Sequence, residues 1–295
     1  MPEEPQSACL LGAGAVAHAL AHDLTQAGWT VRAWARRPER APAPRIDLAQ
    51  LGAVDLVLIC VTDGAIEEVA GLVHSAVGAR ITPAIVMHTS GYHDRTALAV
   101  LADDGWSTGG LHPLCAVPPL DQSDPSPTRT LAGSWFAGEG DALVQATCAR
   151  IVTALSGQLF PLPTDPRAKA RYHAAATLIA AGSVALLDAA MNMIGAADDA
   201  SHVALRQRAF ADLGRGALEN AASGDTDAAL TGPHARGDAA VVGGHLDLMR
   251  SIDGAPTDLY LEVSRRALEL VRNRGAISQQ LLERLEETLN KRPES

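Results

Sequence analysis

A short apolar run, Ala8-Cys9-Leu10-Leu11, passes directly into Gly12-Ala13-Gly14-Ala15-Val16-Ala17, and an amphipathic stretch from Val16 to Ala27 follows, ended by Gly28. Strand, glycine turn and helix form the context in which G-x-G-x-x-A carries chemical meaning. Gly12 permits the tight turn, Gly14 lets the backbone approach a pyrophosphate, and Ala17 keeps the helix close to the strand. The start of the helix offers free N–H groups and positive potential to phosphates. Residues Gly12, Ala13, Gly14, Ala15 and Val16 are therefore expected to hold a dinucleotide, which commits the first half of the chain to strands joined by crossover helices.

That alternation continues. Thr30 to Ala35 reads as a strand, and the stretch after it, with Pro38, Pro42 and Pro44, cannot hold a full helix. Leu56 to Val61 is a continuous apolar run, as expected of a strand covered on both faces. Asp63 is expected to cap a helix through Val77. Strands are predicted at Ala84 to Met87, Ser107 to Leu111, Ser134 to Ala137 and Gln158 to Leu162, with a helix from Asp141 to Leu155. Val117 to Arg129 carries four prolines and reads as an ordered surface loop or lid. The composition changes at Pro161-Leu162-Pro163-Thr164-Asp165-Pro166, where Asp165 as N-cap and Pro166 at the first helical position mark a helix start. That helix runs past Leu187 and is Ala-rich on nearly all sides, so it is expected to be buried, within its domain or against a second protomer. From there the pattern is helical, down to a charged tail helix over Gln279 to Lys291 that ends without a partner. The expected fold class is α/β: an N-terminal Rossmann domain with a parallel sheet over residues 1–163, and an all-α C-terminal domain for substrate and dimerisation over 164–295.

Composition excludes some partners. Lys plus Arg is 24 and Asp plus Glu is 34, a formal net charge of −10. An acidic chain repels phosphate backbones, and four Trp, three Tyr and three Phe leave little for base-stacking platforms. Nucleic acid is not expected as a partner. The four cysteines, Cys9, Cys60, Cys115 and Cys148, are scattered without a C-x-x-C pair and read as reduced thiols. The start, Met1-Pro2-Glu3-Glu4-Pro5, lacks the basic character of a signal peptide. The most apolar stretch, Ala174 to Leu187, is shorter than a membrane span. A cytoplasmic, soluble protein is expected.

Several residues could carry chemistry. Arg36 and Arg37 follow the second strand, where NAD-specific domains place an acidic residue for the ribose 2′-OH. Two guanidinium forks there suit a 2′-phosphate instead, so NADP(H) is favoured over NAD(H). Val61-Thr62-Asp63 and His88-Thr89-Ser90-Gly91 follow successive strands and should face the cofactor, with Ser90 a candidate for substrate. His112, after a later strand, could donate a proton, orient a carbonyl, or be structural. Lys169, Tyr172 and His173 share one helix face, an arrangement suited to general-acid catalysis by Lys169 or His173. In Leu230-Thr231-Gly232-Pro233-His234-Ala235-Arg236-Gly237-Asp238, Arg236 could grip a substrate carboxylate while Asp238 orients it, or the segment could be a structural turn. The histidines show no compact metal-ligand spacing, and no metal is expected.

Taken in order, G-x-G-x-x-A, V-T-D, H-T-S-G, L-H-P-L, K-x-x-Y-H-A-A-A and L-T-G-P-x-x-R-G-D resemble Rossmann-like proteins ending in domain of unknown function 2520, over roughly Ala8 to Arg274. That family is similar to the 6-phosphogluconate dehydrogenase-like and ketopantoate reductase-like enzymes. The resemblance implies an NADP-binding domain followed by a helical one, usually in a homodimer. It also implies a lysine on the first helix after the Rossmann domain acting with an asparagine one turn later. Lys169 matches the lysine, and His173 stands in the asparagine's place. Where family members often carry A-S-N, this chain has Ile179-Ala180-Ala181-Gly182. The expected function is an NADPH-dependent reductase of a small carbonyl acid, with ketopantoate the best single guess. A non-catalytic NADP(H)-binding regulator and an imine reductase of the same fold are the alternatives.

Overall fold

The structure is a computed structural model that describes residues 6–54, 56–78, 84–121, 130–162, 167–195 and 199–291. Two compact units divide the chain, Met1–Thr177 and Leu178–Ser295. The boundary falls inside a helix rather than after residue 163, because the first turns of that helix bury Ala168, Lys169 and Tyr172.

In the first unit, seven strands form one sheet: β1 (Ser7–Leu11), β2 (Thr30–Trp34), β3 (Leu56–Ile59), β4 (Ile85–His88), β5 (Ser107–Leu114), β6 (Trp135–Gly140) and β7 (Gln158–Phe160), in the order β2-β1-β3-β4-β5-β6-β7. β1 to β5 pair in parallel, as their crossover connections require. The sheet is not parallel throughout: β6 pairs antiparallel with β5, His112 opposite Ala137, and β7 then runs parallel to β6. Helices α1 (Ala15–Gln26), α2 (Ile66–Val77), α3 (Ala99–Asp103) and α4 (Ala142–Ala154) complete the unit. The Pro-rich stretch holds only 3₁₀ turns, Pro38–Arg40 and Leu48–Ala53.

Alternate residues of the apolar strands feed two cores. Leu10, Leu58 and Met87 join α1 and α4 residues such as Leu20 and Ile151 on one face, and Leu11, Ile59 and Val86 join Val69, Val73 and Leu101 on the other. This is why β3 reads as an unbroken apolar run. Asp23 of α1 is buried and ties down the chain entering β6, its carboxylate accepting from the Leu131 N–H (2.6 Å) and the Thr130 hydroxyl (3.0 Å). Most of the loop expected over Val117 to Arg129, and the cap expected at Asp165 and Pro166, lie outside the described residues.

Helix α5 (Ala168–Ile194) crosses the boundary, and the second unit continues with α6 (Ala200–Ala222), α7 (Thr226–Ala229), α8 (Gly232–Arg236), α9 (Ala239–Arg250), α10 (Thr257–Arg274) and α11 (Gln279–Asn290). Its described residues hold no strand. The tail helix does have a partner: Leu282, Leu285 and Leu289 of α11 pack with Val242 and Leu246 of α9 and Leu268 and Val271 of α10. The burial expected for the Ala-rich helix is not met inside the chain. No residue of α5 beyond Tyr172 is buried, none of α6 is, and Leu178 is 73% and Val184 69% exposed. α5 is also long and apolar enough to cross a membrane by length and composition, with a mean hydropathy of 1.7 over its most apolar window, more than the shorter stretch from Ala174 implies.

Candidate functional site

The carboxyl ends of β1, β3, β4 and β5 converge on a cavity of about 470 Å³. Ala13 to Val16 line it from the glycine turn, Cys60 to Asp63 from the end of β3, and Thr89 to Gly91 from the end of β4. His112, Pro113, Cys115 and Val117 come from β5 and beyond, and His173 from α5. This is where ligands bind in open α/β sheets.

The glycine turn has the geometry its sequence implies. Gly12 has φ +139°, and a Cβ there would overlap the Cys60 carbonyl oxygen. Its N–H donates to Trp34 O (2.9 Å), while Cys60 N–H donates to Leu11 O (2.8 Å), which ties the turn to both neighbouring strands. α1 starts at Gly14 with no side-chain cap and no acidic residue in its first turn, so the N-terminus keeps its capacity for an anion. Past β2, Arg36 and Arg37 are both exposed, and Arg36 Nη2 donates to Glu68 Oε1 at 2.7 Å.

Asp63 does not cap a helix. It opens the 3₁₀ turn Asp63–Ala65, and α2 begins after Ala65 without a side-chain cap. Asp63 also lines the cavity. Ser90 Oγ accepts from the N–H groups of Tyr92 (3.1 Å) and His93 (3.0 Å), an ST turn that leaves the hydroxyl proton available.

Six more ionisable groups, His112, Tyr172, His173, Lys169, Glu139 and His88, lie in the wall or behind it. His112 Nδ1 and the Tyr172 hydroxyl are 2.8 Å apart, and the His112 and His173 rings stand edge to face at 6.0 Å. A Cβ on Gly91 would fall 2.6 Å from His173 Cδ2 and 2.9 Å from His112 Nε2, so glycine is what lets both imidazoles approach this turn. Burial pushes His112 down to about 4, helped by His173 and Lys169, and raises Tyr172 to about 12. His112 is thus neutral at pH 7.

Lys169 is only 6% exposed and is absent from the cavity lining. Its Nζ lies over Gly110, where a Cβ would collide with it, and sits 3.5 Å from Glu139 Oε1. Burial lowers the Lys169 amine against the pull of Glu139, and burial raises the Glu139 carboxyl against the pull of Lys169. His88 is fully buried beside this pair. Its Nε2–H donates to Asp94 O (3.0 Å), its Nδ1 has no hydrogen-bond partner among the described residues, and burial, then the Lys169 charge, brings it down to about 4. Of the three residues expected on one helix face, Lys169 and Tyr172 turn inward and His173 lines the cavity. Glu139 was missed by the sequence reading. The available signal was Gly109-Gly110 facing Gly138-Glu139-Gly140 on the paired strand, since glycines inside strands mark close approach.

In the second unit, Gly237 ends α8 in the left-handed conformation, and Arg236 Nε donates to Asp238 Oδ2 at 2.9 Å. Among the described residues, no group of three or more His, Cys, Asp or Glu is placed to hold a metal ion.

Residues 134–267 match the family model Domain of unknown function (DUF2520). Comparison with curated proteins gives no match. Among solved structures, the chain is similar to a candidate NADP oxidoreductase from Bacteroides fragilis, at 22% identity and TM-score 0.66, covering 90% of this chain and 98% of that one. It is also similar to an imine reductase from a Pseudomonas species, at 19% identity and TM-score 0.59, over 96% and 99%. A reductive aminase from Aspergillus terreus, in complex with NADPH and ethyl levulinate, matches at 16% identity and TM-score 0.60, over 96% and 99%. At such identities the likeness is one of fold, and the chain shares with these proteins a Rossmann-like sheet followed by helices.

Proposed function

We propose that this protein is an NADP(H)-dependent reductase acting on the C=O or C=N group of a small compound. The observation that carries the reading is the His112–Tyr172 pair at a cavity that the glycine turn also lines. The NADPH of the Aspergillus neighbour agrees with it. Residues Gly12 to Val16 would hold the pyrophosphate, Arg36 and Arg37 the 2′-phosphate, and Val61, Thr62 and Asp63 would border the dinucleotide. When bound, the reduced nicotinamide supplies the hydride.

The chain's own groups manage the proton. With Tyr172 donating to Nδ1, neutral His112 carries its proton on Nε2. As the substrate carbon takes the hydride, the Nε2 proton passes to the developing alkoxide, the Tyr172 proton moves to Nδ1, and solvent reprotonates Tyr172. His173 flanks this group, and Ser90 can donate to substrate. Lys169, being buried, acts through its charge on His112 rather than as the acid.

Among the described residues, the cavity walls supply Asp63 and no Lys or Arg. A keto acid such as ketopantoate would therefore rely on Arg236, its guanidinium oriented by Asp238, for its carboxylate. The same observation favours a second reading, reduction of an imine, whose cationic nitrogen Asp63 would attract. NADPH oxidation followed by absorbance, with ketopantoate and with a cyclic imine, decides between them. Replacing His112 by Ala should lower turnover roughly 10²–10⁴-fold, the usual contribution of a positioned acid. Nucleotide binding without turnover on either substrate, or on a wider carbonyl and imine panel, would make the protein a regulator instead.

A soluble, cytoplasmic homodimer is part of this proposal. The unburied apolar side chains of α5 and α6, Leu205 and Leu213 among them, support a second copy as their cover. Light scattering of detergent-free protein tests it.

A further inference from the structure

Arg36 leaves the end of β2 and meets Glu68, 32 positions further along, in the first turn of α2. β2 and β3 flank β1 on its two sides, so a contact between the segments that follow them spans the carboxyl end of β1, where the glycine turn begins. The sequence places no acidic residue at the end of β2, and the fold brings one there from elsewhere. We infer that Glu68 sets the balance between NADPH and NADH at this site, an inference that rests on the NADP(H) reading above.

The chemistry is a competition for one guanidinium. A 2′-phosphate wants the donors that Glu68 engages, and it is repelled by the carboxylate that engages them. A ribose 2′-OH instead donates to a carboxylate, which is how acidic residues at this point of a Rossmann sheet select NAD(H). The Arg36 and Glu68 side chains are 68% and 59% exposed, so either nucleotide can reach them. An exposed pair is also weak enough to open for a ligand. The positive end of α2 holds the carboxylate favourably at this position. Arg37, beside Arg36, makes no ion pair among the described residues and is available to phosphate throughout. The result is a site that accepts both nucleotides, with NADPH preference held below what its two arginines alone would give.

The test is titration of the full-length protein with NADPH and with NADH, followed by nucleotide fluorescence, for the unaltered chain, Glu68→Gln and Glu67→Gln. Glu68→Gln should move the ratio of dissociation constants toward NADPH by roughly two- to fivefold, the factor a surface charge pair carries. Glu67→Gln, the same charge change one residue earlier, should leave the ratio where it was. An unchanged ratio in Glu68→Gln, or one moved toward NADH, overturns the inference while leaving the NADP(H) reading in place. If the unaltered protein binds neither nucleotide, both fall together.

Discussion

The Lys169–Glu139 pair gives the most demanding test of the proposed chemistry. Lys169→Met keeps the length of the side chain and removes the ammonium, leaving Glu139 without its cation at a position where burial already disfavours the charged form. Breaking a buried pair from one side costs about 3–5 kcal/mol. The Glu139 side chain is 21% exposed and can take up a proton, which sets the loss near the lower end, about 3 kcal/mol. For a unit of this size that corresponds to a fall in Tm of roughly 6–12 °C. Glu139→Gln strands the more deeply buried Lys169 and should cost about as much. The double variant leaves no uncompensated charge and should be no less stable than either single one. Urea unfolding of the four proteins then gives a coupling energy of about 3 kcal/mol. Effects that add to within about 0.5 kcal/mol would refute the argument that burial and pairing oppose each other here. Turnover supplies a separate reading. Assayed well below its melting temperature, Lys169→Met should retain activity within tenfold, and a hundredfold loss with the fold intact would return the acid role to Lys169.

Three other outcomes follow from the geometry. Unfolded histidine titrates near 6.5 and folded His88 near 4, so the unfolded chain binds the extra proton. Stability should be level above pH 6.5 and fall by about 3 kcal/mol toward pH 4 from His88 alone, with His112 adding in the same direction. Urea midpoints that stay constant from pH 6.5 to 5 would contradict this. Asp23→Ala strands the buried Leu131 N–H and should cost about 1–3 kcal/mol in thermal unfolding, with Asp23→Asn milder. Gly91→Ala should displace His112 and His173 and cut turnover at least roughly tenfold in the NADPH oxidation assay.

What was legible in the sequence is what local pattern encodes. The strand–glycine–helix unit at Ala8 to Ala27 and the doubly covered strand at Leu56 to Ile59 each depend on neighbours close in sequence. Strand direction does not. Ser134 to Ala137 read as a strand whichever way they run, and only pairing with β5 shows that β6 is antiparallel. Long-range partners were equally hidden: Glu68 reaches Arg36, Tyr172 reaches His112 and Glu139 reaches Lys169 from separations of 32, 60 and 30 residues. Helical periodicity placed Lys169, Tyr172 and His173 on one face but could not say that the sheet lay against part of it. The Ala-rich composition of α5 likewise specified an apolar helix without specifying what covers it.

Gly12 decides which variant can serve as a nucleotide-blind control. Its backbone presses against the Cys60 carbonyl so closely that any side chain must push β1 and β3 apart, and its N–H is tied to the Trp34 carbonyl of β2. Loss of binding in a Gly12 variant would therefore report damage to three strands as readily as loss of a phosphate contact. Apart from its own chain neighbours, Gly14 has no atom of the described residues within 4 Å of where a Cβ would stand, and it keeps an ordinary backbone conformation. If the glycine turn holds the pyrophosphate as proposed, a side chain there would intrude on it without straining the fold, which makes Gly14 the position at which binding and folding can be uncoupled.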